Sequence, residues 1–255
     1  MADEHRLEEK FISQEAEKRI SEKLDEVEKI EIDVQTDFLK IVQGQADGVS
    51  IAGQGLVIQE GIRVQEIKLQ TDSIAINPFS ALFGQIELNE PVNAIARIIL
   101  TEVDMNHALS SDFIRTQMQN LELNVNGKIV SFEPQQIQVF LPGDGKIECR
   151  GKVLLKEMGN TRPFGYTAIA RPRTHSQPAM LESFNCSEGG GISIEVITAL
   201  MQKAQELMNI PYFKWEDMVF HIKDIKVEIG SLILLLETQM KQIPSSSRET
   251  VVTFH

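Results

Sequence analysis

The residues whose types and spacing best suit chemistry are three arginines. No acidic residue falls between Glu157 and Glu182, and that window holds Arg162, Arg171 and Arg173 with His175 beside them. The chain as a whole sets 25 Lys and Arg against 37 Asp and Glu, a net charge of −12, so an acid-free window departs from its average. Arg171-Pro172-Arg173 places a proline in an otherwise extended stretch, which predicts an edge strand or a rim where guanidinium groups stay accessible. Paired guanidinium forks can hold a phosphate or sulfate bidentately. The same arginines could instead pair with acids of neighbouring strands.

Other chemistries leave no local signature. A Gly-x-Ser-x-Gly elbow is absent, so no serine is marked as a nucleophile. His5, His107, His175, His221 and His255 are scattered, and none lies within five residues of another His or a Cys, so zinc-type spacing is missing. Gly189-Gly190-Gly191 could cradle a phosphate, but no P-loop or dinucleotide fingerprint surrounds it, and a connector is the simpler reading. The expectation is therefore a non-catalytic protein with no cofactor and no metal, a hydrolase without a recognised motif being the enzymatic alternative. The acidic balance argues against nucleic acid as a partner.

A second feature is a surplus of soft apolar residues. Leu232-Ile233-Leu234-Leu235-Leu236 is apolar on both faces of a predicted strand, and Met201, Leu207 and Met208 lie on a predicted helix. A strand apolar on both sides needs a second cover, which is ordinary core, a helix or an acyl chain.

The elements that must position these residues are mostly strands. Period-two alternation runs through Val27 to Val34, Val49 to Ile51, Ile62 to Leu69, Val92 to Leu100 and Leu121 to Val125. Asn126-Gly127, Gly143-Asp144-Gly145 and Gly159-Asn160 are the chemistry of tight antiparallel turns. Helices are predicted at 77–84, from the Thr101-Glu102-Val103-Asp104 capping box to about Gln119, and from Val196 toward Pro211. The fold class is α+β with mainly antiparallel sheet. Val34-Gln35-Thr36-Asp37 and Leu69-Gln70-Thr71-Asp72 echo one another, too briefly to assert a duplication.

The ends are compositionally distinct. Residues 1–33 hold 12 acidic and 6 basic side chains, half the net charge of the chain. Leu7, Phe11, Ile12, Ala16, Ile20 and Leu24 recur there at helical spacing, which predicts an amphipathic N-terminal helix, packed on its own domain or laid on a membrane or partner. The organisation expected is a helix over 1–26, one α+β domain over 27–243 and a flexible tail over 244–255, in which residues 251–254 could add an edge strand. No apolar stretch follows the acidic start, so a cytoplasmic protein is expected, with a peripheral place on the cytosolic face of a membrane as an option. In that compartment Cys149 and Cys186 are expected to stay reduced.

Taken in order, Asp37-Phe38-Leu39-Lys40-Ile41-Val42-Gln43-Gly44, Ile76-Asn77-Pro78-Phe79-Ser80, Leu100-Thr101-Glu102-Val103-Asp104 and Leu200-Met201-Gln202-Lys203 resemble the LmeA-like phospholipid-binding proteins, from about Val27 to Ile243, in the branch without a signal peptide. The resemblance implies a tubular lipid-binding type of fold, with a long curved antiparallel sheet wrapped around a helix of the C-terminal half. It also implies an apolar groove for acyl chains. The function expected from it is binding of a phospholipid or glycolipid with transient visits to a membrane surface, for lipid transfer or membrane-lipid homeostasis, with sequestration, sensing or scaffolding as uses of the same groove. It supplies no contact residues by position, so the groove candidates come from the apolar pattern. They are Phe79, Leu82 and Phe83 on the first predicted helix, and Leu109 and Phe113 on the second. Val196, Leu200, Met201, Ala204 and Met208 follow on the third, and Leu232, Leu234 and Leu236 on the apolar strand. Arg162, Arg171, Arg173 and His175 are the head-group candidates. The alternative is a protein–protein adaptor whose apolar surplus is core alone.

Overall fold

The computed structural model describes residues 2–22, 24–59, 62–77, 88–118, 121–157, 160–188, 193–215, 218–240 and 252–254. Apart from Asn77, the helix expected over 77–84 lies outside these residues, and with it Phe79, Leu82 and Phe83; so do Gly159 and the triple glycine.

Strands dominate, and every described strand pair is antiparallel. The first half supplies β1 (Glu26–Gln35), β2 (Gln45–Ala46), β3 (Gly48–Gln59), β4 (Ile62–Thr71), β5 (Ile74–Ala75) and β6 (Val92–Thr101). A meander follows, of β7 (Leu121–Val125), β8 (Lys128–Gly143), β9 (Lys146–Glu157), β10 (Asn160–Arg171) and β11 (Met180–Glu188). The chain then closes through β12 (Tyr212–Trp215), β13 (Met218–Glu228), β14 (Ser231–Met240) and β15 (Val252–Phe254). Residues 252–254 of the tail thus form an edge strand, paired with β12.

The strands divide between an eight-stranded sheet ordered β1-β3-β4-β6-β14-β13-β12-β15, a five-stranded sheet ordered β11-β10-β9-β8-β7, and the small pair β2-β5. The turns that join the meander follow the residues expected of them. Asn126 and Gly127 take φ of 53° and 83°, and Gly143, Asp144 and Gly145 take 91°, 52° and 69°. Both sequences populate the left-handed region that tight hairpins require.

The described helices are α1 (Ala2–Ser21), α2 (Phe38–Val42), α3 (Glu102–Ser110), α4 (Asp112–Gln117) and α5 (Ile194–Met208). Thr101 caps α3 as its sequence predicts: its hydroxyl accepts from the Asp104 amide at 3.1 Å and donates to the Asp104 carboxylate at 2.6 Å. The single helix expected to Gln119 is instead two, because Ser111 turns extended (ψ 150°) and its hydroxyl caps α4 by accepting from the Ile114 amide. A serine competes with the helical backbone for its own hydrogen bonds, which makes it a natural break.

α1 lies along β1, an edge strand of the large sheet. The amides of Ile32 and Val34 donate to Glu17 Oε1 at 2.9 Å and Ser13 Oγ at 3.2 Å. The helix therefore satisfies backbone donors that an edge would otherwise offer to another chain.

α3 joins the two large sheets. The Asn106 side chain pairs with both backbone groups of Val139, at 2.7 and 2.8 Å, and Glu102 Oε2 accepts from the Leu141 amide at 2.7 Å. On its other side the Glu102 amide donates to Gly230. Around this junction Val139 and Leu141 of β8 pack with Val227 of β13 and Leu232 of β14.

Candidate functional site

α5 touches both β7 and β11, the opposite edges of the five-stranded sheet. One helix reaches both edges only if the sheet curls toward it, so the sheet and helix enclose a space between them. At its N-terminal end the space is packed shut: Val130, Val153, Leu155, Phe164 and Val196 form a buried cluster. Farther along α5 an apolar cavity of about 470 Å³ remains open.

Each wall follows from strand or helix periodicity. From β10 the alternate residues Phe164, Tyr166, Ala168, Ala170 and, just beyond the strand, Pro172 line the cavity. Side chains two apart share a face. Their sizes fall along that face, so the aromatic rings close one end and the alanines leave room at the other. Phe164, Tyr166 and Phe184 stack, with centroids 5.7 to 6.3 Å apart. Gly151 of β9 sits opposite Tyr166, and a Cβ there would lie 2.6 to 2.7 Å from the phenol ring. The missing side chain is what allows the ring to lie over the neighbouring strand.

β9 contributes Ile147, Cys149 and Val153, and β8 contributes Phe132, Pro134 and Ile137. A register shift between Pro134 and Gln136 explains the change from even to odd positions on β8, since one extra residue turns the following side chains to the other face. β13 has a similar shift between Ile222 and Asp224, and both Ile222 and Ile225 reach the cavity. Leu200, Lys203, Ala204 and Met208, at helical spacing on α5, close the space.

The C-terminal half of α5 is held in register by its own polar side chains. Gln205 accepts from the Leu181 amide at 3.3 Å and donates to the Ala179 carbonyl at 2.6 Å, while Asn209 accepts from the Ala179 amide at 2.8 Å. Ala179 is buried, and these bonds satisfy both its backbone groups.

Polar chemistry in the cavity is sparse. The Cys149 thiol lies 3.7 Å from the Tyr166 hydroxyl, and burial pushes the pKa of both groups up, so both are neutral near pH 7. Lys203 is the one formally charged side chain among the described lining residues. Its ammonium lies 3.4 Å from Glu206 in a solvent-exposed i,i+3 pair. No three His, Cys, Asp or Glu side chains among the described residues cluster as a metal site. No described helix is long and apolar enough to cross a membrane.

Of the groove candidates, Leu200, Ala204 and Met208 line the cavity. Val196 lies in the packed cluster beyond its closed end. Leu232 belongs to the core around α3, with Leu109 against it, and Leu236 to a third cluster with Ala96 and Phe220; Leu234 packs against both of these clusters. Met201 is 36% exposed, and the Phe113 side chain lies outside the described residues.

The arginines do not form one cluster. Arg162 and Arg171 are nine residues apart on β10, on the order of 30 Å at about 3.3 Å per residue. Arg171 donates to Glu182 at 2.5 Å and to the Asp144 carbonyl at 2.8 Å. Glu182 also pairs with Lys146, and these two cations hold its carboxyl below the usual carboxylate range. Arg173 and His175 follow Pro172 at the wider end, where the His175 amide donates to Asp224. Sequence reasoning did not select Lys203 or the β8–β10 face. The alternation of Phe164, Tyr166, Ala168 and Ala170 was visible, but nothing local shows which face of a strand will meet an open space.

Among the described residues, the antiparallel α+β fold encloses an apolar space almost free of polar groups, the kind of lining that suits an apolar ligand. The chain belongs to the LmeA-like phospholipid-binding family, whose model matches residues 3–237. Comparison with curated proteins and with solved structures returned no match.

Proposed function

We propose that this protein is a non-enzymatic phospholipid binder that holds acyl carbon in the cavity beneath α5. The observation that carries the reading is the cavity itself: about 470 Å³, walled by aliphatic and aromatic side chains from β8, β9, β10, β13 and α5. Family membership supplies the ligand class. Each buried methylene contributes roughly 0.8 kcal/mol, so an acyl chain of membrane length leaves a bilayer for water at a cost of about 10 kcal/mol or more. A cavity with walls like these offsets most of that cost.

Such a protein can carry lipid between membranes or adjust membrane-lipid supply. In this reading the curled sheet and α5 form a tubular lipid-binding type of fold, the protein works in the cytoplasm and visits the cytosolic face of a membrane, and Arg173 near the wider end is better placed than Arg162 to meet a head group. Solvent-extracted protein is incubated with vesicles carrying a trace of fluorescent phosphatidylglycerol and then separated from them by size. Label travelling with the protein, up to about one lipid per chain, supports the proposal; protein free of label contradicts it.

A further inference from the structure

Resting on that lipid-binding reading, we infer that the cavity shelters a single acyl chain, whose anionic end is paired by Lys203. Capacity is the first argument. A space of about 470 Å³ falls within the range of roughly 300–1,000 Å³ typical of a site for one small ligand. The stacked Phe164, Tyr166 and Phe184 rings and the packed Val196 cluster close the space at the N-terminal end of α5, so a second chain has no continuation there.

Charge is the second argument. Lys203 lines the cavity yet its side chain keeps 41% of its surface in solvent, so it spans the boundary between the two. A lysine does this by laying its methylene stem along apolar surface and turning its ammonium outward. Its partner Glu206 is 68% exposed, and an exposed pair of that kind contributes about 0–1 kcal/mol, little enough for a ligand anion to replace it. The shared chemistry is one acyl chain ending in a carboxylate or phosphate. It could come from a single-chain lipid or from one arm of a two-chain phospholipid.

Native mass spectrometry of the lipid-stripped full chain tests this with three probes: monooleoyl-lysophosphatidylglycerol, dioleoylphosphatidylglycerol and uncharged monooleoylglycerol. Wild type is expected to hold one lysolipid per chain and no second at saturation. Lys203→Gln is expected to weaken the lysolipid by roughly five- to tenfold while leaving monooleoylglycerol within about twofold. The uncharged probe also reports that the variant is folded with its cavity intact. Binding of the two-chain lipid with the same Lys203 dependence identifies one arm of a phospholipid as the natural occupant; its exclusion while the lysolipid binds leaves the single-chain inference standing and contradicts the proposed two-chain phospholipid ligand. Two lysolipids per chain, or equal affinity of wild type and variant for the anionic probe, overturns the inference while lipid binding stands. Failure of all three probes to bind wild type overturns the proposed function itself.

Discussion

Replacing Ala204 by leucine separates an open cavity from a packed core, because the two respond with opposite sign. Ala204 faces the cavity from the middle of α5. Leucine adds three carbons, which on burial contribute about 2.4 kcal/mol at roughly 0.8 kcal/mol each. Lost rotamer freedom takes back about 0.5–1 kcal/mol, and leucine is nearly as good a helix former as alanine. The net expectation is a gain of about 1.4–1.9 kcal/mol in lipid-stripped protein, a rise of roughly 3–8 °C in melting temperature for a chain of this size. In the same variant, phospholipid retention falls because the new side chain occupies the space. Calorimetry of stripped protein and a lipid-retention assay measure the two effects. A melting temperature lowered by several degrees would mean overpacking, which costs about 1–3 kcal/mol, and would refute the claim that the space is open.

Gly151→Ala brings a methyl group within 2.6 Å of the Tyr166 ring, so it is expected to cost about 1–3 kcal/mol and to alter the near-ultraviolet circular dichroism of the aromatic stack; an unchanged spectrum and stability would refute that contact. The Cys149 thiol, raised by burial, stays protonated and inert to Ellman's reagent near pH 8, while exposed Cys186 reacts; equal rates would contradict the burial. Asp104 is 7% exposed and binds Arg63 and Thr101, so Asp104→Ala is expected to cost about 2–4 kcal/mol in chemical denaturation, with a loss under 0.5 kcal/mol contradicting its role. Glu182, held below the usual carboxylate value of 4.5 by Lys146 and Arg171, stabilises the fold above that pH and loses the contribution as pH falls through its lowered value; Glu182→Gln flattens that part of the acid limb in thermal melts, and an unchanged limb would refute it.

Strands, turns and caps were legible because their signals are local. Asn126-Gly127 needs only its own positive φ, and Thr101 caps α3 through an amide three residues away. The break at Ser111 is local too, but the apolar period that continues across it points to a single helix. The site was less legible because it depends on where strands far apart in sequence meet. Leu232 and Leu236 have the same composition as a groove wall, yet β14 pairs with β6 and β13 in the middle of the large sheet, which makes them core. Ala168 and Ala170 attract no notice as residue types. They matter because small side chains opposite α5 leave space unfilled, a property of the pair of surfaces and not of either sequence. The arginine window looked like one site because its residues are close along the chain; an extended strand carries Arg162 away from Arg171.

The most direct test of the central claim is the native mass of the protein as purified, before and after solvent extraction, with identification of whatever is released. The account predicts a species heavier than the polypeptide by the mass of a lipid, returning to the polypeptide mass on extraction and recovering the increment on incubation with phosphatidylglycerol vesicles. A mass equal to the polypeptide alone in all three states would contradict it.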